Sequence, residues 1–152
     1  MALLALAVAA QLNVTAFHVD HGLRPESASE ADIVRAAAKS LGAQFRAVTV
    51  NVGQGPNLEA RARQARYEAL PDDVLTGHTA DDQAETVLLN VLRGAGVDGL
   101  AGIRPTGGPS HQVGHPLLSI RRAETEAVCQ LLDWTPVSDP SNNDHSLLRN
   151  RI

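Results

Sequence analysis

A chain of 152 residues with 43% hydrophobic and 20% charged side chains has room for one domain with a real core, and no segment is polar enough to read as disordered. A formal charge of −4 advertises no polyanion partner, and a single cysteine excludes an intrachain disulfide and any all-cysteine zinc cage. The longest apolar run, residues 2–10, is about half the length of a membrane span and follows no basic stretch, so a reducing, cytoplasmic setting is expected.

In chain order, residues 2–12 are helical in composition but have no start signal. "NVTAFHVD" (13–20) reads as a short buried strand, rich in β-branched and apolar residues. Ser27 with Glu30 forms a capping-box pattern that opens a helix. Its apolar stripe is Ile33, Val34, Ala37, Ala38 and Leu41, and Gly42 ends it. "AQFRAVTV" (43–50) is the next strand. "GQGPN" is a loop in which Asn57 stands at an N-cap position, and a helix follows to about Leu70. "DVLTG" (73–77) reads as a third strand, followed by a helix running to about Arg93. A glycine-rich irregular stretch leads to "HPLLSI" (115–120), a last short strand, and to a helix over 122–132. Strands separated by helices of this length predict an α/β fold with a parallel sheet. Ligands in such sheets sit beyond the carboxyl ends of the strands, here "VDHG", "VNVGQG" and "GHTADD".

Asp81, Asp82 and Glu85 therefore fall where a site is expected, beside a helix stripe of Ala84, Leu88 and Val91. Capping and the helix dipole account for one or two of these acids. Three converging carboxylates repel one another unless a cation is present, and oxygen ligands suit magnesium. "HVDHGLR" puts His18, Asp20, His21 and Arg24 at a strand end. A ligand-contacting loop, a plain polar turn and a zinc site completed by His78 all remain open there. In "ARARQARY", Arg63 pairs at helical spacing with both Glu59 and Tyr67, and Arg66 reaches the same side. A solvated face and a phosphate contact are both consistent with it.

Taken in order, "VDHGLRPES", "ARARQARYEAL", "GHTADDQAETVLLNVLRGAGVDGLAG", "PLLSIRR" and "DPSNNDHSLLRN" resemble the bacterial tRNA(Ile)-lysidine synthetases, within the N-type ATP pyrophosphatases. The likeness runs through nearly the whole chain. Many members carry two adjacent histidines before the paired aspartates, where this chain has His78-Thr79. The resemblance implies an adenine-nucleotide α-hydrolase-like, Rossmann-like fold, with ATP and magnesium as cofactors. The implied partners are free L-lysine and an isoleucine tRNA with cytidine at the wobble position. ATP adenylates the carbonyl at position 2 of that cytidine and releases pyrophosphate. The ε-amino group of lysine then attacks the same carbon, and AMP departs. By the same likeness Asp81, Asp82 and Glu85 form the acidic catalytic signature, with Asp81 and Asp82 the magnesium ligands. Arg63 and Arg66 hold phosphate or tRNA. His18, Asp20, His21, Gly22 and His78 lie along the nucleotide, and Arg122 and Arg149 stand near the substrate entrance. A homodimer is one implied assembly.

The family's Ser-Gly-Gly-X-Asp-Ser phosphate loop precedes its first helix, and "MALLALA" resembles the residues directly after that loop. Residues 1–152 are accordingly expected to be a partial N-terminal catalytic domain without the first strand, the phosphate loop or a C-terminal tRNA-binding domain, and so inactive as written. Three rivals are weighed against the ligase. A thiolating relative would need more sulfur chemistry than Cys129 offers. A non-catalytic nucleotide-binding module or gene remnant is favoured by the missing phosphate loop and disfavoured by the retention of three carboxylates. A His/Asp metallohydrolase would need zinc.

Overall fold

The computed structural model describes residues 1–22, 27–53, 55–107 and 113–135. The chain forms two compact units, one of Met1–Val74 with Gly108–Val113 and the other of Leu75–Gly107 with Gly114–Ile152.

The first unit opens with α1 (Ala2–Ala9), in which Ala2, Ala5 and Ala7 are buried. Alanine and leucine are strong helix formers, and they carry this helix without any capping side chain. It stops before the expected Leu12 because Gln11 adopts φ 60°. The amide of Gln11 then donates to Val8 and that of Leu12 to Ala7, which closes the last turn. Strand β1 (Thr15–Asp20) pairs in parallel with β2 (Gln44–Thr49), in register from Thr15 opposite Gln44 to Asp20 opposite Thr49. Between them α2 (Ser27–Ser40) packs on both strands through Ala31, Ala37 and Ala38. Gly42, at φ 68°, ends α2 as expected, its amide bonded to Lys39 and the Ala43 amide to Ala38. The start of α2 falls at Ser27 itself, and the capping-box side chain lies outside the described residues. Ile33, expected in the buried stripe, is exposed, whereas Ala31 is buried. Every residue of β1, expected to be buried, is half-buried, since among the described residues the sheet has two strands and each covers only one edge of the other. Helix α3 (Leu58–Ala69) begins after Asn57, which stands at the N-cap in the left-handed region with no capping side-chain bond. It ends at Leu70, where the following proline disfavours helical backbone.

The expected strand over 73–77 reduces to a single bridge at Leu75, and that over 115–120 forms none, the pairing falling on Gly114 just before it. Leu75 bridges Gly114 in parallel, and Thr106 bridges Gly114 in antiparallel sense. Pro116 has no amide to extend the pairing, and the chain turns at once. Helix α4 (Ala80–Leu92) is followed by a 3-10 turn over Val97–Ala101, and α5 (Arg122–Leu131) starts where the Glu124 carboxylate accepts the Arg121 amide at 2.8 Å. The α4 stripe expected to be buried faces out instead, with Leu88 48% and Val91 53% exposed. No residue of α4 is buried, and the helix is tied to the segment after the 3-10 turn by Gln83, whose Oε1 accepts the Ile103 amide at 2.6 Å. Among the described residues no helix is long and apolar enough to cross a membrane.

Candidate functional site

Two clusters of polar side chains stand at element ends, one in each unit. In the first unit β1 runs out at Asp20, whose Oδ1 accepts the Gly22 amide at 2.8 Å. This short turn suits glycine, since Gly22 sits at φ 62°. On either side of Asp20, His18 Nε2 and His21 Nδ1 are buried with no hydrogen-bond partner. Burial lowers the pKa of His21 below the ordinary imidazole value, and the Arg66 guanidinium lowers it further against the opposing pull of Asp20. On α3 the guanidiniums of Arg63 and Arg66 lie 5.0 and 5.6 Å from the ring centre of Tyr67, which is buried. One aromatic ring thus holds both arginines at the spacing read from the sequence. The cluster is basic, with Asp20 as its acidic member. The Glu59 side chain, expected to pair with Arg63, lies outside the described residues, as do Arg24 and Arg149.

The second cluster is the head of α4. Thr79 is buried, and both its amide (2.7 Å) and its hydroxyl (2.6 Å) donate to Asp82 Oδ2. The other Asp82 oxygen faces Arg122 at 3.2 Å, and the same guanidinium nitrogen donates to Glu85 Oε1 at 2.8 Å. The backbone amide of Arg122 donates to Asp81 Oδ2 at 2.7 Å. All three carboxylates therefore meet the first residue of α5, and the cation that relieves their repulsion is a guanidinium. Burial raises the pKa of Asp82, but the two Thr79 bonds, Arg122 and His78 outweigh it and hold the carboxyl below its usual value. The hydrogen bond to Glu85 leads in raising the pKa of Arg122, which stays charged throughout the working range. His78 shares a hydrogen bond of 2.8 Å between its Nδ1 and Thr76 Oγ1.

Neither cluster forms a closed metal cage, and among the described residues no three His, Cys, Asp or Glu side chains are arranged to hold a metal ion. Asp81, Asp82 and Glu85 already bond within the protein. What they can offer magnesium is an oxygen or two beside an ion that a phosphate already carries, which is the usual way that ion is held. Sequence reasoning did not single out Thr79 as the anchor of Asp82, although Thr-x-x-Asp at a helix start is a readable capping pattern. It also missed Thr76 and His115 beside His78, for which no local signal exists.

The family model for the PP-loop domain matches residues 1–152. The chain belongs to the PP-loop family. PP-loop relatives with curated names include the tRNA(Ile)-lysidine synthase of Mycolicibacterium paratuberculosis, 48% identical over 96% of this chain and 47% of its own length. That of Rhodococcus erythropolis is 46% identical over 100% of this chain and 48% of its own. The chain thus spans about half the length of the curated relatives it matches. Among solved structures it is similar to the U34-tRNA thiolase NcsA from Methanococcus maripaludis with its [4Fe-4S] cluster. The TM-score is 0.65 at 20% identity, covering 91% of this chain and 57% of that one. At that identity the likeness shows the fold alone. It agrees with the parallel α/β architecture expected from the alternation of strands and helices.

Proposed function

We propose that this chain is the ATP-handling portion of a cytoplasmic tRNA(Ile)-lysidine synthase, an ATP-dependent carbon–nitrogen ligase. The observation that carries the reading is the head of α4, where carboxylates from two successive turns gather around one organic cation, in a chain 46–48% identical to named synthases over nearly all its length. The basic cluster of the first unit suits the nucleotide. Arg63 and Arg66, held on Tyr67, bind phosphate oxygens, and the turn from His18 through Asp20 and His21 to Gly22 lies along the nucleotide.

In this reading the cytidine carbonyl oxygen attacks the α-phosphorus of ATP and pyrophosphate leaves, which makes position 2 of the base electrophilic. The ε-amino group of lysine, as the free amine, bonds to that carbon. The carbon–oxygen bond then breaks, AMP leaves with the oxygen, and a proton goes to solvent. Asp81 or Asp82 would hold magnesium together with phosphate oxygens, and the ion would supply charge neutralisation at the phosphoryl oxygens. Asp82 and Glu85 act beside the reacting groups with the Arg122 guanidinium held between them, and Arg122 stands on the side from which the tRNA enters.

The test is transfer of labelled lysine to isoleucine tRNA with ATP and magnesium. This chain is assayed beside a polypeptide extended at both ends to the length of the relatives. Labelling by the longer form, lost on Asp82→Asn or Arg66→Gln, is the expected result. No labelling by either form overturns the assignment.

A further inference from the structure

We propose that Arg61, together with the loop it lies against at residues 51–57, binds a phosphate group. The choice of phosphate rests on the synthase reading, whereas the case for an anion rests on the geometry.

The loop leaves the carboxyl end of β2, the end at which ligands of parallel sheets sit. The Val50 amide donates to the Asp20 carbonyl at 2.8 Å, so the loop starts beside the turn that ends β1. Val52 is buried and Asn51 Oδ1 accepts the Gly53 amide at 2.9 Å, which pins the first half of the loop. The second half passes through the exposed Gly55, whose φ of 138° is one that side chains rarely allow. Arg61, whose amide donates to the Asn57 carbonyl at 3.1 Å in the first turn of α3, brings its guanidinium back onto this glycine. A Cβ at Gly55 would collide with Arg61 Nη1, so the bare backbone is what lets the cation lie there.

A guanidinium has five N–H donors and no acceptor. Arg61 Nε is buried without a hydrogen-bond partner, and among the described residues no carboxylate pairs with the cation. The side chain is therefore held by packing, and its charge is left uncompensated. Keeping a partly buried cation without a partner costs stability, so the group needs another use. A phosphate at the open face of Gly55 would supply the charge-assisted acceptor that the guanidinium lacks. Arg63 and Arg66 do not serve this place. At about 100° per residue, Arg61 stands about 160° and 140° around α3 from them, and both of those arginines lie on Tyr67.

The test is binding of inorganic pyrophosphate, ATP and isoleucine tRNA, at several salt concentrations, by the polypeptide extended to the length of the relatives. Arg61→Gln is expected to weaken at least one of the three roughly tenfold, and Arg61→Lys by less, since it keeps the charge and loses the fork. Weakened tRNA binding with a salt slope shallower by about one assigns an RNA phosphate to the loop. Weakened binding of ATP or pyrophosphate assigns the phosphates of the nucleotide. Gly55→Ala, which pushes the guanidinium off the loop, is expected to lower the same affinity. Arg61→Met keeps the stem and drops the charge. It is expected to lose the same binding without lowering the melting temperature, because the cation it removes has no partner. A lower melting temperature would make Arg61 a packing residue and overturn the proposal, as would unchanged binding of all three probes by Arg61→Gln. The readout is affinity and needs no turnover. A protein that loses phosphate binding in this way but transfers no lysine would sink the synthase reading and leave the site standing.

Discussion

Arg122→Gln isolates the guanidinium from the rest of the α4–α5 junction, because the backbone amide that bonds Asp81 is kept. The lost contacts are those to Glu85 at 2.8 Å and Asp82 at 3.2 Å. The side chains are 47% exposed for Arg122, 37% for Glu85 and 31% for Asp82, so solvent screens both pairs. An exposed pair is worth about 0.2–1 kcal/mol, and two pairs sharing one cation therefore suggest a loss of about 1 kcal/mol. Three carboxylates left without their cation push the figure upward at low salt. Between about 0.1 M and 1 M salt the screening length falls from about 10 to 3 Å, so at least half of the loss is expected to vanish. Urea unfolding followed by circular dichroism at both salt concentrations measures this. The same substitution in a Glu85→Gln background gives the coupling between the two side chains. A coupling of zero, or a loss that salt leaves untouched, would refute the view that Arg122 is the resident cation of this cluster.

Gly102 sits at φ 64° and ψ −146°, and an added Cβ would lie 2.7 Å from the Gln83 oxygen that accepts the Ile103 amide. Gly102→Ala is expected to cost about 1–3 kcal/mol in thermal unfolding, from backbone strain together with loss of the α4 tether. Gly114→Ala, whose Cβ meets only the exposed tip of Leu75, should cost less. Two groups give a pH dependence of the same sign. The pKa values of His21 and Asp82 are both lowered by folding, so the unfolded chain binds more protons and each group's contribution is complete only above its unfolded value. Stability is expected to fall as pH drops below the ordinary histidine range, and again below the ordinary carboxylate range. His21→Asn should flatten the first step and Asp82→Asn the second, as measured by unfolding at stepped pH. A first step unchanged in His21→Asn would show that the imidazole is not its source.

Much of the fold was legible because its signals are local. The glycine at position 42 ends α2, the β-branched runs make β1 and β2, and the acids after Thr79 open α4, each through backbone preferences and bonds spanning five residues or fewer. The ordered motifs also pointed to the family that the whole-chain match shows. The polar residues of the first cluster were legible too, because β1, its turn and the i,i+3 spacing on α3 are set by short-range geometry.

What tertiary structure decided lies further apart. Asp81, Asp82 and Glu85 were read as a cluster that needs a cation, and Arg122 brings its guanidinium to Asp82 and Glu85 and its backbone amide to Asp81 from 40, 37 and 41 residues away. No window of sequence contains both halves of that contact. The α4 stripe was read as buried from its periodicity, yet periodicity says only that two faces differ; Leu88 and Val91 are exposed and no residue of α4 is buried, while a bond from Ile103 to Gln83 ties the helix down. The runs at 73–77 and 115–120 have strand composition, but a strand exists only where a partner supplies amides, and Pro116 withholds one. His115 reached His78 by the same long-range bridge at Gly114. Sequence alone determined the helices, the two paired strands and the chemical character of each cluster, because those follow from residues within a turn or two of one another. The partners of the charged groups and the buried face of each helix followed from contacts whose stability depends on the whole packed arrangement, and only the tertiary structure could supply them.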